Sequence, residues 1–165
     1  MLRLTDLNKS FGSSQILSGV GMDVDKGDVL AVLGPSGSGK TTMLRCLNYL
    51  ERADSGRLTF MDMSMDMAAA SRKQIADYRM HTAFVFQNFN LFANKTALQN
   101  ITEGLTVVRK MPVSEAEERG MKALDRVGLS DKASSYPGGL SGGQQQRVAI
   151  ARAIAAEPDI IYFDE

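Results

Sequence analysis

The chain has 165 residues, and its 19 basic and 19 acidic side chains give a formal net charge of zero. Such a balance argues against nucleic acid as the main partner, because nucleic-acid-binding surfaces usually carry a basic surplus. The single cysteine, Cys46, excludes an internal disulfide, and the single histidine, His81, argues against a His-rich metal centre or a Ser-His-Asp triad. No apolar run approaches the roughly 18 residues that a membrane span needs, so we expect a soluble, cytosolic chain.

The first part of the chain predicts a sheet followed by a loop and a helix. Apolar and polar residues alternate over 2–7 and 16–24, which is typical of half-buried antiparallel strands. The continuous apolar run at 29–33 predicts a strand buried on both faces. A glycine- and serine-rich loop follows, and apolar residues on one side of 41–50 predict a helix.

The middle of the chain predicts a short strand at 57–61, a short helix at 71–80 and a buried strand at 83–86. The methionine-rich segment 61–67 is interpreted as a mobile loop or edge, because methionine adapts to irregular gaps. Polar helix formers then predominate from 88 to about 135 and predict a helical subdomain inserted into an α/β core. Within it, a capping box of Ser114 and Glu117 predicts a helix start, and Gly128 predicts its stop.

The last part predicts a helix from Ser141 that is halted by Pro158, and then a buried strand at 160–163. Asp164 and Glu165 follow that strand directly. A carboxylate at the carboxyl end of a core strand lies where open α/β sheets bind ligands, so Asp164 is expected to hold Mg²⁺ and Glu165 to act as general base. Alone, this pair would be read as an exposed acidic turn.

A phosphate-binding loop is the strongest local motif, because residues 34–41 fit the pattern G-x-x-x-x-G-K-[ST]. Glycines let successive N–H groups converge on phosphate oxygens, and the N-terminus of the following helix favours the same anion. Lys40 would reach the β- and γ-phosphates, and the Thr41 hydroxyl would bind Mg²⁺. The alternative is a chance glycine-rich turn. The loop residues are Gly34, Pro35, Ser36, Gly37, Ser38, Gly39, Lys40 and Thr41.

A second glycine pair precedes the last helix. The five residues are Leu140, Ser141, Gly142, Gly143 and Gln144. The glycines permit close backbone approach, and the helix N-terminus again favours an anion. One nucleotide does not easily need two such sites from one chain, so this face is expected to bind the γ-phosphate of a nucleotide held by another copy. A flexible loop before a helix is the alternative.

Together, these motifs resemble the nucleotide-binding subunits of ABC transporters, whose signature is Leu-Ser-Gly-Gly-Gln, over essentially the whole chain. The stretches 44–48, 86–92 and 143–153 are most similar to the ATPases of bacterial polar amino-acid importers. The resemblance implies an α/β P-loop NTPase core of the ABC type with a mixed sheet. Its predicted segments are the core with N-terminal antiparallel strands at 1–87, the helical subdomain at 88–137, and the signature helix with the return to the core at 138–165.

The resemblance also implies roles for individual residues. Phe11 matches the aromatic residue that stacks on adenine, with Ile16 alongside, and Thr42 joins the nucleotide-binding loop. Gln87 matches the glutamine that touches Mg²⁺ and the water and senses the membrane subunit. The implied catalytic residues are Glu165, Gln87 and Lys40, and the implied metal ligands are Thr41, Gln87 and Asp164. Ser141, Gly143 and Gln144 match residues that close over the opposite protomer's ATP.

The sequence departs from the family in two places. Glycine occupies 138 and 139, where the family usually places glutamine or a similar polar residue. The family's D-loop and switch histidine would lie beyond Glu165, and His81 precedes Gln87 and cannot be that histidine. We therefore interpret the chain as truncated, with the C-terminal part of the core missing and apolar surface left uncovered.

The predicted function is binding and hydrolysis of Mg²⁺-ATP to energise import of a small solute, a polar amino acid. The predicted partners are a second ATP-binding subunit in a head-to-tail dimer and integral membrane permease subunits, at the inner face of the cell membrane, with no nucleic acid. Two alternatives remain: a catalytically inert nucleotide-binding fragment, and an ABC-type ATPase that acts on DNA or ribosomes.

Overall fold

The N-terminal hairpin pairs strand β1 (Leu2–Phe11) with strand β2 (Ser14–Val24) in antiparallel register. Its two-residue turn begins at Gly12, whose φ of 59° lies in the left-handed region that glycine adopts without strain. Leu2 and Leu4 are buried on one face of β1, and an irregularity after Leu4 brings the buried Leu7 to that face as well. The alternation in the sequence therefore predicts this hairpin correctly.

The computed structural model describes residues 1–164, and the chain divides into two compact units, Met1–Arg79 and Met80–Glu165. In the first unit, strands β3 (Ser55–Phe60) and β4 (Met63–Asp66) extend the hairpin to a four-stranded sheet of order β2-β1-β3-β4. Helices α1 (Lys40–Leu47) and α2 (Arg72–Arg79) belong to the same unit. The methionine-rich segment is thus an ordered edge strand, because Met65 is buried and β4 pairs with β3.

The strand predicted at 29–33 is wrong. This segment has no strand structure in the described chain, and Val29 and Leu33 keep 97% and 89% of their surface exposed. A strand satisfies its N–H and C=O groups by pairing with a neighbour, and no strand in residues 1–164 pairs with this segment. Apolar composition alone therefore did not produce the element.

In the second unit, strands β5 (Thr82–Val85) and β6 (Ile160–Phe163) pair in parallel. Three helices pack together beside them: α3 (Ala97–Glu103), which continues as a π-helix over Gly104–Val108, α4 (Val113–Arg126) and α5 (Gly142–Ala155). Their shared core includes Ile101, Leu105, Leu124 and Val148. The helical character predicted for the middle of the chain is confirmed, whereas the three predicted segments at 1–87, 88–137 and 138–165 stay a prediction.

The capping box predicted at Ser114 is also wrong. Helix α4 begins at Val113 with Pro112 at the N-cap, and no side chain caps it. Proline fixes a φ that suits the entry to a helix, so α4 begins early enough to place Ser114 inside its first turn. The predicted stop is confirmed, because α4 ends at Arg126 and Gly128 has a φ of 68°. Among the residues described, no helix is long and apolar enough to cross a membrane.

Candidate nucleotide-binding site

The glycine-rich loop at 34–39 curls back on itself before α1 begins at Lys40. Gly37 and Gly39 have φ values of 81° and 92°, which side chains other than glycine rarely tolerate. The Ser38 N–H donates to the Pro35 carbonyl at 3.2 Å, and the Met43 N–H donates to the Gly39 carbonyl at 2.8 Å. The loop therefore has the tight turn that a phosphate cradle requires, even though the described residues 29–33, directly before it, do not form a strand.

Gly39 also lies close to strand β2. A Cβ atom at this position would lie 3.0 Å from Ile16 Cγ2 and 3.0 Å from Leu17 Cδ2. These distances are shorter than ordinary van der Waals contact, so glycine is needed here for space as well as for its φ. The same contact places Ile16 beside the loop. Thr41 and Thr42 are half-buried in the first turn of α1.

Lys40 folds its side chain over the loop that precedes it. Its Nζ donates to the carbonyl oxygens of Gly34 and Pro35, each at 2.9 Å. The N-cap residue Gly39 has no side chain to cap α1, and the first turn of the helix contains no acidic residue. The first-turn amides, the helix dipole and the ammonium group therefore present positive charge with no side-chain carboxylate in that turn, which fits a phosphate group.

Phe11 lies at the end of β1, and 49% of its surface is exposed. Its ring carries a cation on one side, because Lys9 Nζ lies 4.7 Å from the ring centroid. Such a ring is available for stacking against a planar group.

Gln87 and Asp164 follow the carboxyl ends of the two parallel strands, β5 and β6. Val85 pairs with Phe163 in register, and the Asp164 N–H donates to the Val85 carbonyl at 3.0 Å. Asp164 is buried, whereas Gln87 is exposed in the turn that follows β5. Carboxylate and amide oxygens are ligand types that Mg²⁺ prefers, so the oxygens of Gln87 and Asp164 in the second unit are chemically suited to that ion. The Thr41 hydroxyl, in the first unit, is an oxygen donor of the same kind. Glu165 lies outside the described residues.

The turn after Gln87 has a feature that the sequence did not predict. Phe89 and Asn90 have φ values of 61° and 46°, which are uncommon for residues other than glycine. Arg152 of α5 binds both carbonyls, with Nη2 2.7 Å from the Phe89 oxygen and Nη1 2.8 Å from the Asn90 oxygen. Burial lowers the pKa of the Arg152 guanidinium below its usual value. No pattern around Arg152 distinguishes it in the sequence from Arg147.

Asn100 is a second residue that sequence reasoning missed. It is fully buried in α3, and its Oδ1 accepts from the Phe92 N–H. The two hydrogens of its Nδ2 are shared among the carbonyls of Phe92, Lys95 and Thr96. These bonds fix the segment between the Gln87 turn and α3. An asparagine in an amphipathic helix gives no sequence signal of this kind, because most helical asparagines are solvated.

The segment 140–144 forms the start of α5. Ser141 Oγ accepts from the Gln144 N–H at 3.3 Å, and Gln144 Oε1 accepts from the Ser141 N–H at 2.8 Å, which is a capping box. Leu140 is buried in the helical core. Gly142 and Gly143 have negative φ, and among the described residues a Cβ at either position would meet no atom within 4 Å beyond its chain neighbours and its own helix backbone. The fold of this chain therefore does not itself require glycine at these two positions.

Comparison with known proteins agrees with this fold and these motifs. The sequence model of the ABC transporter family matches residues 17–165. A probable amino-acid ABC transporter ATP-binding protein of Haemophilus influenzae is 47% identical over 168 residues, which cover 100% of this chain and 65% of that protein. The L-cystine import ATP-binding protein TcyN of Bacillus subtilis is 47% identical over 165 residues, which cover 100% of this chain and 64% of TcyN.

Solved structures show the same architecture. A dimeric structure of the bacterial ABC transporter cassette MJ0796 matches with a TM-score of 0.88 and 33% identity, covering 99% of this chain and 73% of that one. Another, of a post-hydrolysis state of MJ0796 bound to ADP and Pi, matches with a TM-score of 0.87. The fold is thus that of an ABC-type P-loop cassette.

The chain belongs to the ABC transporter family, and the relatives it matches include ATP-binding proteins of amino-acid importers. It spans about 65% of the length of such a curated relative.

Proposed function

We propose that this chain binds Mg²⁺-ATP through residues 34–42, and that the whole protein hydrolyses ATP to drive import of a small solute, a polar amino acid. The observation that carries the proposal is the loop geometry: left-handed Gly37 and Gly39, and Lys40 folded over the loop carbonyls at the start of α1. The names of the relatives, which include amino-acid and L-cystine import ATP-binding proteins, support the transport role.

Within the loop, we assign phosphate binding to the backbone N–H groups and the Lys40 ammonium group. The Lys40 side chain is flexible, so its ammonium group could leave the two loop carbonyls and bind phosphate oxygens instead. This exchange would replace neutral acceptors with charged ones, which form stronger hydrogen bonds. Phe11 and Ile16 would contact the adenine. Thr41 would offer its hydroxyl to Mg²⁺, which when bound neutralises charge on the β- and γ-phosphates.

For the second unit, we propose that Asp164 and Gln87 contribute oxygen ligands and that Glu165 accepts a proton from the attacking water. Gln87 follows a strand end and precedes the turn held by Arg152, so a change at Gln87 would be transmitted to α5. This placement supports a role for Gln87 in sensing a membrane permease subunit. Catalysis would depend mainly on positioning and on charge neutralisation.

We propose that residues 140–144 contact the nucleotide of a second copy in a head-to-tail dimer. Gly142 and Gly143 have open space around them and no positive φ, so a requirement for glycine there would come from close approach by another molecule. The dimeric structures of MJ0796 support the association of two copies. The proposed location is the cytoplasmic face of the membrane, beside permease subunits.

Phosphate release from Mg²⁺-ATP tests hydrolysis, with Lys40→Ala as the matched control, and light scattering with and without ATP tests association. We expect Lys40→Ala to abolish phosphate release in any form of the protein that hydrolyses ATP. Binding of ATP by the 165-residue chain without phosphate release would instead support an inert nucleotide-binding fragment. Salt-sensitive binding to duplex DNA would support the DNA-acting alternative.

A further inference from the structure

Lys9 occupies an unusual position for a lysine. Its side chain is only 9% exposed, whereas lysine is one of the residue types that is seldom buried. Three groups anchor its ammonium: the Arg52 carbonyl at 2.7 Å, Glu51 Oε1 at 2.8 Å and Asp54 Oδ1 at 3.9 Å. The charge is therefore fixed in place rather than free to move with solvent.

The anchored charge lies against the proposed adenine-stacking residue. Lys9 and Phe11 are two residues apart on β1, so their side chains project from the same face of the strand. The distance of 4.7 Å from Nζ to the ring centroid is within the range of cation–π attraction. An aromatic ring that is half exposed at a hairpin end would otherwise sample several rotamers, and binding would have to order it.

Because the proposed function places a purine on Phe11, we propose that Lys9 is a positioning residue for the nucleobase: its anchored ammonium holds the Phe11 ring in the orientation that stacking needs. The ammonium covers one face of the ring and leaves the opposite face for the base. The hydrogen bond and charge of Glu51 raise the pKa of Lys9 above its usual value, so the cation persists at any pH used for nucleotide binding.

The alternative is a purely structural role, in which Lys9 only neutralises Glu51 and Asp54 and satisfies the Arg52 carbonyl. In that role, a substitution at Lys9 would lower stability, but it would change the affinities for a ligand with a nucleobase and for a ligand without one by the same factor. Calorimetric titration with Mg²⁺-ATP and with magnesium tripolyphosphate separates the two, because tripolyphosphate engages the loop at 34–41 but has no base to stack. The ratio of the two affinities does not depend on the folded fraction, since both ligands report the same folded population.

We expect Lys9→Met to weaken ATP binding about two- to five-fold, in line with a cation–π contact near the surface, and to leave tripolyphosphate binding unchanged. Lys9→Arg should restore most of the ATP affinity, because guanidinium keeps the charge and the donors. In a Phe11→Ala background, Lys9→Met should have no further effect on the ratio, as expected for a coupled pair. Thermal unfolding of each variant reports any loss of stability separately.

Three results would overturn the inference while leaving the proposed function intact: unchanged ATP affinity in Lys9→Met, an equal loss for both ligands, or the same loss in the Phe11→Ala background. Absence of ATP binding by the unsubstituted, folded chain would overturn the proposed function and this inference together.

Discussion

Arg152 donates from Nη2 to the carbonyl oxygen of Phe89 at 2.7 Å, and this bond ties the helix that follows the Leu-Ser-Gly-Gly-Gln segment to the turn that follows Gln87. A second bond, from Nη1 to the Asn90 carbonyl at 2.8 Å, completes the clamp. Two consecutive left-handed residues other than glycine are strained, so the turn needs such an external partner to persist. Arg152 is thus a structural link between two segments that both have proposed functional roles.

Replacing Arg152 with lysine should destabilise the protein. Lysine lacks the rigid planar fork that presents two donors to the two carbonyls at once, so we expect weaker or lost bonds at the turn, at a cost of about 1–3 kcal/mol in the free energy of unfolding. Urea denaturation followed by circular dichroism measures this change. Arg147→Lys is the matched control, since Arg147 is exposed on the same helix and should change stability by less than about 0.5 kcal/mol. Equal effects in the two variants would refute the clamp.

Two serines that resemble helix caps should behave differently. Ser141 caps α5, so Ser141→Ala should lower the free energy of unfolding by about 1 kcal/mol. Ser114 lies inside α4 without a capping bond, so Ser114→Ala should change it by less than about 0.5 kcal/mol. The same denaturation experiment compares them. A larger loss in Ser114→Ala than in Ser141→Ala would contradict the observed helix starts.

Stability should fall in alkaline solution as Cys46 ionises. Burial raises the pKa of the Cys46 thiol from about 9 to about 11, so the unfolded chain loses this proton before the folded chain does. The stabilisation is complete below pH 9 and is lost as pH rises towards 11, a change of roughly 2–3 kcal/mol at about 1.4 kcal/mol per pKa unit. Denaturation at a series of pH values measures the slope.

Cys46→Ala provides the control for that slope, because it removes the titrating thiol from the same buried position. The variant should lose less stability between pH 9 and pH 11 than the unsubstituted chain. Some alkaline loss should remain, since burial also raises the pKa of Tyr49 to about 12. An identical pH dependence in both proteins would show that Cys46 does not contribute.

Alanine substitutions at Gly39 and Gly143 should distinguish a glycine that the fold requires from a glycine that only the proposed function requires. Gly39→Ala forces a Cβ against Ile16 and Leu17 at a φ of 92°, so it should cost about 2–4 kcal/mol of stability and weaken ATP binding. Gly143→Ala meets no neighbour and adds helix propensity, so stability should be unchanged or rise by up to about 1 kcal/mol. If the proposed dimer is correct, Gly143→Ala should still reduce ATP-driven association, which light scattering detects. A large loss of stability in Gly143→Ala would contradict the open surroundings seen here.

Local sequence signals predict much of this fold. The period-two alternation gives the β1–β2 hairpin, and glycine after the last apolar turn gives the end of α4. The Leu-Ser-Gly-Gly-Gln segment identifies the family, which the family comparison confirms. These signals succeed because each depends on neighbours within a few positions, where backbone sterics and hydrogen bonding act directly.

The failures come from interactions that short patterns do not contain. Residues 29–33 have the composition of a buried strand, but a strand also needs a pairing partner, and none of the described strands provides one. Ser114 has the spacing of a cap, but Pro112 starts the helix two residues earlier. Lys9, Asn100 and Arg152 act through contacts with distant or loop residues, so their importance appears only once the chain has folded.

The most direct test of the central claim is isothermal titration calorimetry of the folded chain with Mg²⁺-ATP, with Lys40→Ala as the control. Nucleotide binding through residues 34–42 should give saturable heat with one site per chain, and that heat should be lost when the ammonium group at position 40 is removed. Absence of saturable heat from folded, unsubstituted protein, or equal affinity in Lys40→Ala, would contradict it.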